Sequence, residues 1–316
     1  MRAVIINGEQ LEITTVPAPT LDVNELRVAV KAVGINRADL LQRKGLYPAP
    51  PGFPQNILGI EFAGEVIELG SKAVGYELGD RVMGIRGGAT YAEEITIHCA
   101  EAIPVPPHYS WSEAGAIPEA FLTAFDALEQ LKLSEQDTIL IHAITSSVGL
   151  AALQLARQRN ATVLGSSRNE SKLQRLSDLE FTPVLVQDKE FLELVGRSSV
   201  DAVMDFVGAA YLEQNLSVLK KRGRMICLGL LDGTKAELSL ATMLRKRLTL
   251  SGSVLRTRPA AERKKLIERF NMGILPKLNS GVLLPNIDRV YPMNEVESAH
   301  QRMQQNLSLG KGILLW

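Results

Sequence analysis

The chain has 316 residues, of which 46% are hydrophobic and 22% are charged, so it is long enough for two globular domains and does not have the composition of a fibrous or disordered protein. Its 35 basic residues balance 35 acidic residues, and this zero net charge argues against nucleic acid or an anionic membrane as a partner. Two cysteines, Cys99 and Cys227, are too few for a disulfide framework or for a structural zinc site built from several thiolates.

The apolar segments are short. Residues 1–7 form a brief alternating run, without the charged start, long apolar stretch and cleavage site of a secretory signal. The longest apolar runs elsewhere are also too short to cross a bilayer. We therefore expect a cytoplasmic protein without a membrane partner.

The first third of the chain predicts a mostly β domain. Polar and apolar residues alternate in segments 25–33, 63–70, 79–83 and 91–97. Prolines and glycines punctuate the gaps between these segments, as is typical of strands joined by tight turns.

Near Ser110 the pattern changes to alternating helices and strands. A continuous apolar segment predicts a strand at 138–142, and further buried strands are expected at 161–165, 200–206 and 224–228. Apolar residues at helical spacing predict helices at 148–158, 170–179 and 209–219. Buried strands that alternate with amphipathic helices indicate a doubly wound parallel sheet covered on both faces.

The remaining tail contains too few elements to fold alone. We expect it to return and complete the N-terminal domain, which gives an α/β protein of two domains. The expected boundaries are 1–120 for the first part of the β domain, 121–254 for the doubly wound domain and 255–316 for the returning part.

The loop between the first parallel strand and its helix is the candidate cofactor site, because a pyrophosphate can bind the unpaired N–H groups at a helix start. The loop is poor in glycine. Ile144 and Ser147 stand where the usual fingerprint has its first two glycines, and only Gly149 remains for helix–strand packing. A plain strand–helix turn is the open alternative. The residues assigned to this loop are Thr145, Ser146, Ser147, Val148 and Gly149, three of which carry hydroxyl groups that can donate to phosphate.

The end of the second parallel strand favours NADPH over NADH. An acidic residue at this point would accept a hydrogen bond from the ribose 2′-hydroxyl of NADH, and none is present in 165–169. Charge-assisted hydrogen bonds to a 2′-phosphate are favoured instead. The candidate residues are Gly165, Ser166, Ser167, Arg168 and Lys172. A polar turn with solvated charges remains the alternative.

The four histidines, at positions 98, 108, 142 and 300, show no spacing typical of metal ligands. His142 lies close to the cofactor loop. We interpret it as a buried, hydrogen-bonded core residue rather than a catalytic group.

Several motifs in one consistent order resemble the zinc-independent medium-chain dehydrogenases/reductases, and in particular their quinone oxidoreductase group. The motifs are GINRADLLQRKGLYP at 34–48, LGIEFAG at 58–64, AIPEAFLTAF at 116–125, DFVG at 205–208 and LGL at 228–230. The resemblance spans almost the whole chain. It implies a GroES-like catalytic domain and a Rossmann-type cofactor domain.

The resemblance also implies chemistry without a metal. Zinc-dependent relatives carry a cysteine in the segment that reads Asn-Arg-Ala-Asp at 36–39, and a histidine before the glutamate in the segment Gly59-Ile60-Glu61. Both ligands are missing here, as is the cysteine cluster of the structural zinc site.

The resemblance assigns the candidate catalytic residues Asn36, Tyr47 and Thr123 to the nicotinamide and substrate pocket. Asn36 is expected to orient the carboxamide or ribose, and Tyr47 either binds the substrate oxygen or forms a pocket wall. Asp39 is expected to bind backbone N–H groups. Further residues along the cofactor are Ser146, Gly149, Gly165, Ser166, Lys172, Gly208, Gly229, Leu230, Leu255 and Arg256.

The expected reaction is hydride transfer from NADPH to a quinone, an activated acceptor for which the protein mainly positions the reactants and excludes water. Reduction of α,β-unsaturated aldehydes or ketones uses the same geometry and stays open. A third alternative is a protein that binds NADPH without turning it over, because Ile144 and Ser147 replace glycines of the usual cofactor loop. Relatives pair through an edge strand, so we expect a homodimer formed through 225–230 or 248–253.

Overall fold

The computed structural model describes residues 1–8, 10–186, 188 and 190–316. The chain divides into two compact units. We call Met1–Leu122 with Leu255–Trp316 the split unit, and Thr123–Val254 the continuous unit. The first boundary between the units lies inside the helix Pro118–Gln130.

The elements of the described residues are numbered in chain order. The strands are β1 (Arg2–Asn7), β2 (Gln10–Thr15), β3 (Glu25–Gly34), β4 (Glu61–Leu69), β5 (Arg81–Ile85), β6 (Glu94–His98), β7 (Ile103–Pro104), β8 (Thr138–Ile141), β9 (Thr162–Ser167), β10 (Thr182–Leu185), β11 (Val200–Asp205), β12 (Leu219–Cys227), β13 (Thr249–Gly252), β14 (Ile287–Pro292) and β15 (Lys311–Leu315). The α-helices are α1 (Arg37–Arg43), α2 (Trp111–Gly115), α3 (Pro118–Gln130), α4 (Ser147–Arg157), α5 (Glu170–Gln174), α6 (Leu192–Val195), α7 (Leu212–Val218), α8 (Leu240–Lys246), α9 (Ala260–Gly273), α10 (Leu275–Asn279) and α11 (Val296–Gln304).

The continuous unit contains a parallel sheet in the order β10-β9-β8-β11-β12-β13. Its central strand β8 is apolar and mostly buried, and α4 buries the small and aliphatic residues of its inward face, as the sequence pattern predicts. The predicted doubly wound α/β fold is therefore confirmed. The strand order reverses direction between β8 and β11, and ligands of such sheets bind outside the carboxyl ends of the strands at this switch point.

Two local predictions for this unit are wrong. The helix expected at 170–179 ends already at Gln174 and gives way to turns. The segment 225–230 does not supply a free edge, because β12 pairs with β11 on one side and β13 on the other. The free edge on that side of the sheet is β13, which contains the other expected segment.

The split unit contains a mixed sheet in the order β14-β15-β3-β4-β5-β7, with β6 paired to β3 and a separate β1-β2 hairpin. Burial alternates along β3 because its polar and apolar residues alternate. The tail returns as expected: β15 pairs antiparallel with β3, so that Ile313 lies opposite Gly34. Tyr291 and Leu314 thereby join the core around Phe62 and Tyr91.

Candidate cofactor and substrate sites

The first part of the candidate cofactor site is the loop from β8 to α4, which lies at the switch point of the parallel sheet. Ala143 adopts a left-handed conformation with a φ of 47°, and the N–H of Ser146 donates to its carbonyl over 2.9 Å. Ser146 caps α4, since its Oγ accepts from the N–H of Gly149 at 3.0 Å. The N–H groups of Ser147 and Val148, the first two of the helix, have no acceptor within the helix itself.

The glycine-poor loop is accommodated because the side chain of Ile144 packs against a glycine of the neighbouring strand β9. Ile144 is fully buried, and a Cβ atom added at Gly165 would lie 2.7 Å from its Cγ1 atom. The side chain of Ile144 therefore fills the space that Gly165 leaves open. A Cβ atom at Gly149 would lie 2.6 Å from the carbonyl oxygen of Ala143, so this position admits only glycine without a shift of the backbone.

The end of β9 carries the residues assigned to the 2′-phosphate. Ser166 is 2% exposed, and Arg168 is exposed. Ser167 is buried, and its Oγ accepts from the N–H of Asn169 at 3.1 Å. Lys172 is buried in the short helix α5. The neighbouring carboxylate of Glu170 accepts a hydrogen bond from Gln174 at 3.5 Å.

The loops after β11 and β12 bind each other at the same edge of the sheet. The Asp205 carboxylate accepts from the N–H groups of Val207 at 2.8 Å and Gly208 at 3.1 Å, and burial raises its pKa to about 6. Gly208 has a φ of 87°, and an added Cβ atom at Gly229 would lie 2.9 Å from the carbonyl oxygen of Phe206. Leu230, the next residue, is 56% exposed.

His142 is a buried histidine with a partner on each ring nitrogen, as the sequence suggested. Its Nδ1 lies 2.7 Å from Ser166 Oγ, and its Nε2 lies 2.8 Å from Asn215 Oδ1. Burial lowers the pKa of His142 to about 4. The imidazole of His142 therefore stays neutral in the folded protein, whereas in the unfolded chain it takes up a proton near pH 6.5.

This difference predicts acid sensitivity of the continuous unit. The stability contributed by neutral His142 is complete above pH 6.5 and is lost as the pH falls towards 4, because protons then favour the unfolded chain. Between pH 6.5 and 5, we expect the wild type to lose about 1.5 kcal/mol more unfolding free energy than His142→Phe. Urea unfolding at the two pH values checks this, and parallel losses in the two proteins would refute it. Asp205 titrates in both proteins, so its contribution cancels.

The split unit holds a buried charged cluster that the sequence analysis did not identify as a site. The ammonium of Lys311 lies 2.6 Å from Glu61 Oε1, 2.7 Å from Asn36 Oδ1 and 3.3 Å from Glu119 Oε2. Lys311 and Glu61 are 1% and 0% exposed. Burial alone would lower the pKa of Lys311, but the two carboxylates outweigh it and raise that pKa. The returning tail is thus tied to β4 by a buried ion pair with Glu61, and to the start of α1 by a hydrogen bond to Asn36.

Asn36, predicted to orient the nicotinamide, is engaged within this cluster. Its side-chain amide donates to Glu61 Oε1 at 2.8 Å and to the Gly34 carbonyl oxygen at 3.2 Å, and its oxygen accepts from Lys311. The amide is therefore held in a single orientation. The signals in the sequence were two charged residues that each begin a largely apolar strand, Lys311 in β15 and Glu61 in β4.

Asp39 binds backbone N–H groups, as expected. Its carboxylate accepts from the N–H of Asn36 at 2.7 Å, from the N–H of Gly59 at 3.2 Å and from the Tyr91 hydroxyl at 3.1 Å. Burial raises the pKa of Asp39 to about 7. The Tyr91 hydroxyl also lies 3.2 Å from Nε2 of His300, so this network reaches α11.

Tyr47 and Arg256 lie together in the split unit. The Arg256 guanidinium is centred 5.0 Å from the Tyr47 ring, and it donates to the carbonyl oxygens of Gly87 at 2.7 Å and Tyr47 at 3.1 Å. Arg256 also donates to Gln42. Burial raises the pKa of the half-buried Tyr47, an effect that Arg256 opposes, so the phenol stays protonated at neutral pH. Thr123, in α3, belongs to the continuous unit and is half-buried.

The residues do not fit a zinc ion at the segments where zinc-dependent relatives carry ligands. The Lys311 ammonium binds both Asn36 and Glu61, and a fixed cation at this point repels a dication. Across the part of the chain that the structure describes, no group of three or more histidine, cysteine, aspartate or glutamate residues is arranged to hold a metal.

Comparisons with known proteins match both units. The family model of the alcohol dehydrogenase GroES-like domain matches residues 22–121, and that of zinc-binding dehydrogenases matches 147–271. The rat synaptic vesicle membrane protein VAT-1 homolog is 28% identical over all of this chain and 84% of its own length. Among the described residues, no helix is long and apolar enough to span a membrane.

Two solved structures are similar over nearly the whole chain. The quinone oxidoreductase from Coxiella burnetii is 26% identical, with a TM-score of 0.81 over 100% of this chain and 98% of that chain. The CurK enoyl reductase is 25% identical, with a TM-score of 0.87 over 99% of this chain and 98% of that chain. Both are reductases by name, and they differ in the acceptor.

Proposed function

Because the chain belongs to the medium-chain dehydrogenase/reductase superfamily, we propose that it is an NADPH-dependent oxidoreductase that transfers a hydride to a quinone without zinc. The observation that carries the cofactor preference is the end of β9, where Arg168 is exposed and residues 165–169 contain no carboxylate. A guanidinium binds phosphate oxygens through charge-assisted hydrogen bonds, whereas a carboxylate would repel them.

The continuous unit would bind the cofactor through its strand ends. The N–H groups of Ser147 and Val148 meet the pyrophosphate at the positive end of the α4 dipole. The glycines at 208 and 229 allow the two neighbouring loops to bind each other closely, and the half-buried Leu255 follows this unit directly. When bound, the nicotinamide supplies the hydride.

The split unit would bind the quinone through Tyr47. Since its phenol stays protonated, it can donate a hydrogen bond to a quinone oxygen, which gains negative charge as the hydride arrives and then takes up a proton. Arg256 holds the Tyr47 ring by packing over it and by binding its carbonyl oxygen. Asn36 contributes an amide of fixed orientation.

The test is oxidation of NADPH and of NADH by the purified protein, followed at the nicotinamide absorbance with 1,4-benzoquinone or 9,10-phenanthrenequinone as the acceptor. We expect quinone-dependent oxidation that is much faster with NADPH. Tight NADPH binding without turnover of any acceptor would identify a non-catalytic NADPH-binding protein instead. Turnover with NADH alone would refute the cofactor assignment.

Arg168→Gln tests the cofactor preference at one side chain. We expect at least a tenfold rise in KM for NADPH with little change for NADH, because a charge-assisted hydrogen bond contributes about 1.5–3 kcal/mol. Arg175→Gln is the matched control, since it removes another exposed positive charge, at the other end of α5. Equal effects of the two substitutions would mean that only general charge matters.

Reduction of a conjugated carbon–carbon double bond is the second candidate, favoured by the similarity to the CurK enoyl reductase. The hydride then reaches a carbon conjugated to the carbonyl group, and the same phenol donates to the carbonyl oxygen. An acceptor panel of quinones, enals and enones separates the two, since the preferred class has the higher kcat/KM.

We also propose a homodimer formed through β13. This edge strand presents unpaired backbone groups that a second copy can satisfy by antiparallel pairing about a twofold axis. Light scattering at micromolar concentration measures the mass, and a value near 34.5 kDa would contradict the proposal.

A further inference from the structure

A buried triad joins the cofactor loop to β9 and α7. His142 lies directly after β8 and is fully buried, with Ser166 at one ring nitrogen and Asn215 at the other. Phe191 and Tyr211 pack edge-on against the imidazole, each with its ring centre 4.8 Å away. The ring is thus held in one plane with one polar partner on each side.

The position of each proton follows from the Asn215 amide. A neutral imidazole has one nitrogen that donates and one that accepts. Asn215 Oδ1 can only accept, so Nε2 of His142 carries the proton and Nδ1 is the acceptor. The Ser166 hydroxyl therefore donates to Nδ1 over 2.7 Å. Because burial holds the pKa of His142 at about 4, the ring stays neutral at physiological pH.

This arrangement removes Ser166 from phosphate recognition. Its single hydroxyl proton is already donated to His142, and only 2% of the residue is exposed. An ionised phosphate offers acceptors and therefore needs donors. Ser167 can act as a donor, because its hydroxyl oxygen accepts from the N–H of Asn169 and its hydroxyl proton is still available. Arg168 offers further donors at the exposed end of the strand.

On the basis of the proposed NADPH function, we propose that His142, oriented by Asn215, is a positioning residue that holds the Ser166 hydroxyl inward. Selection for the 2′-phosphate then belongs to Ser167 and Arg168. The adjacent serines 166 and 167, which are equivalent in the sequence, thereby receive different roles.

The triad has a second possible hydrogen-bond polarity, which makes the proposal testable. If the Asn215 amide were reversed, its Nδ2 would donate to Nε2, Nδ1 of His142 would carry the proton, and Ser166 would regain a free proton. In the observed orientation, Nδ2 of Asn215 is buried without a partner among the described residues. The tautomer of His142 therefore reports directly on the state of Ser166.

The first experiment measures that tautomer by 15N-edited NMR of histidine-labelled protein without cofactor, with His142→Phe to assign the signal. We expect a neutral ring protonated at Nε2 in the wild type, and a mixture of tautomers in Asn215→Leu. A ring protonated at Nδ1 in the wild type, or an unchanged tautomer in Asn215→Leu, would overturn the positioning role. Because no cofactor is present, this result does not depend on the proposed function.

The second experiment measures the dissociation constants of NADPH and NADH by fluorescence titration. We expect Ser166→Ala to change their ratio less than threefold, and Ser167→Ala to weaken NADPH at least fivefold while NADH changes little. A selective tenfold loss of NADPH affinity in Ser166→Ala would overturn the proposal. Failure of the wild type to bind either nucleotide would refute the proposed function and the phosphate selection, whereas the tautomer would still decide the role of His142.

Discussion

Lys311→Met is expected to destabilise the protein by about 3–5 kcal/mol, the usual cost of removing one partner of a buried ion pair. The carboxylate of Glu61 would remain fully buried without its partner at 2.6 Å, and Asn36 Oδ1 would lose its donor. Because β15 carries Lys311 and pairs with β3, the returning tail loses a buried polar contact with the rest of the split unit. Urea unfolding monitored by circular dichroism measures the loss.

Two further variants separate the ion pair from general effects of the substitution. Lys72→Met, at an exposed lysine of the same unit, should change the unfolding free energy by less than about 0.5 kcal/mol. The double variant Lys311→Met with Glu61→Gln should lose less than the sum of the single variants, because the fully buried residue 61 then carries no charge that needs the Lys311 ammonium. A loss below about 1 kcal/mol for Lys311→Met alone would show that the pair contributes little.

Gly149→Ala is expected to weaken NADPH binding at least tenfold and to destabilise the continuous unit by about 1–3 kcal/mol. The added methyl group would lie 2.6 Å from the Ala143 carbonyl oxygen and 2.8 Å from the Cα atom of Ile144. Both atoms belong to the backbone of the loop, so the loop itself must move. The N–H groups of Ser147 and Val148 would move with it, and a titration with NADPH measures the consequence.

Gly273→Ala is the matched control. Gly273 also lies in a helix, α9, and an added Cβ atom there meets no atom within 4 Å. This substitution should be neutral or slightly stabilising, because alanine favours the helix. If Gly149→Ala bound NADPH as the wild type does, the loop would not be the pyrophosphate site.

The elements that the sequence predicted are those with strong local patterns. β8 is a short, largely apolar segment, and burial alternates over the first eight residues of β3, so burial and strand type in both follow from the local pattern. The boundaries were less well determined where turns compete with helix, as after Gln174. The two-domain organisation followed from the change of pattern near Ser110 and from a tail too short to fold by itself.

In the candidate site, too, the sequence predicted the features that depend on neighbouring residues and not those that depend on distant ones. Motifs identified the loop at 143–149 and the strand end at 165–168, since turn chemistry and charge there are local in sequence. The proton arrangement at Ser166 was not predictable, because its partner His142 lies 24 residues away along the chain and is itself oriented by Asn215.

By itself, the sequence determined the strands and helices, the parallel sheet, the strand–helix loop and the absence of zinc ligands from the matching segments, all of which depend on residue type at short spacing. The tertiary structure alone decided how Ile144 is accommodated against Gly165, and that Lys311, 250 residues from Glu61, fixes the amide of Asn36. The physical reason is that burial and long-range pairing set the energy of a charge or a hydroxyl proton, and neither can be read from the neighbouring residues.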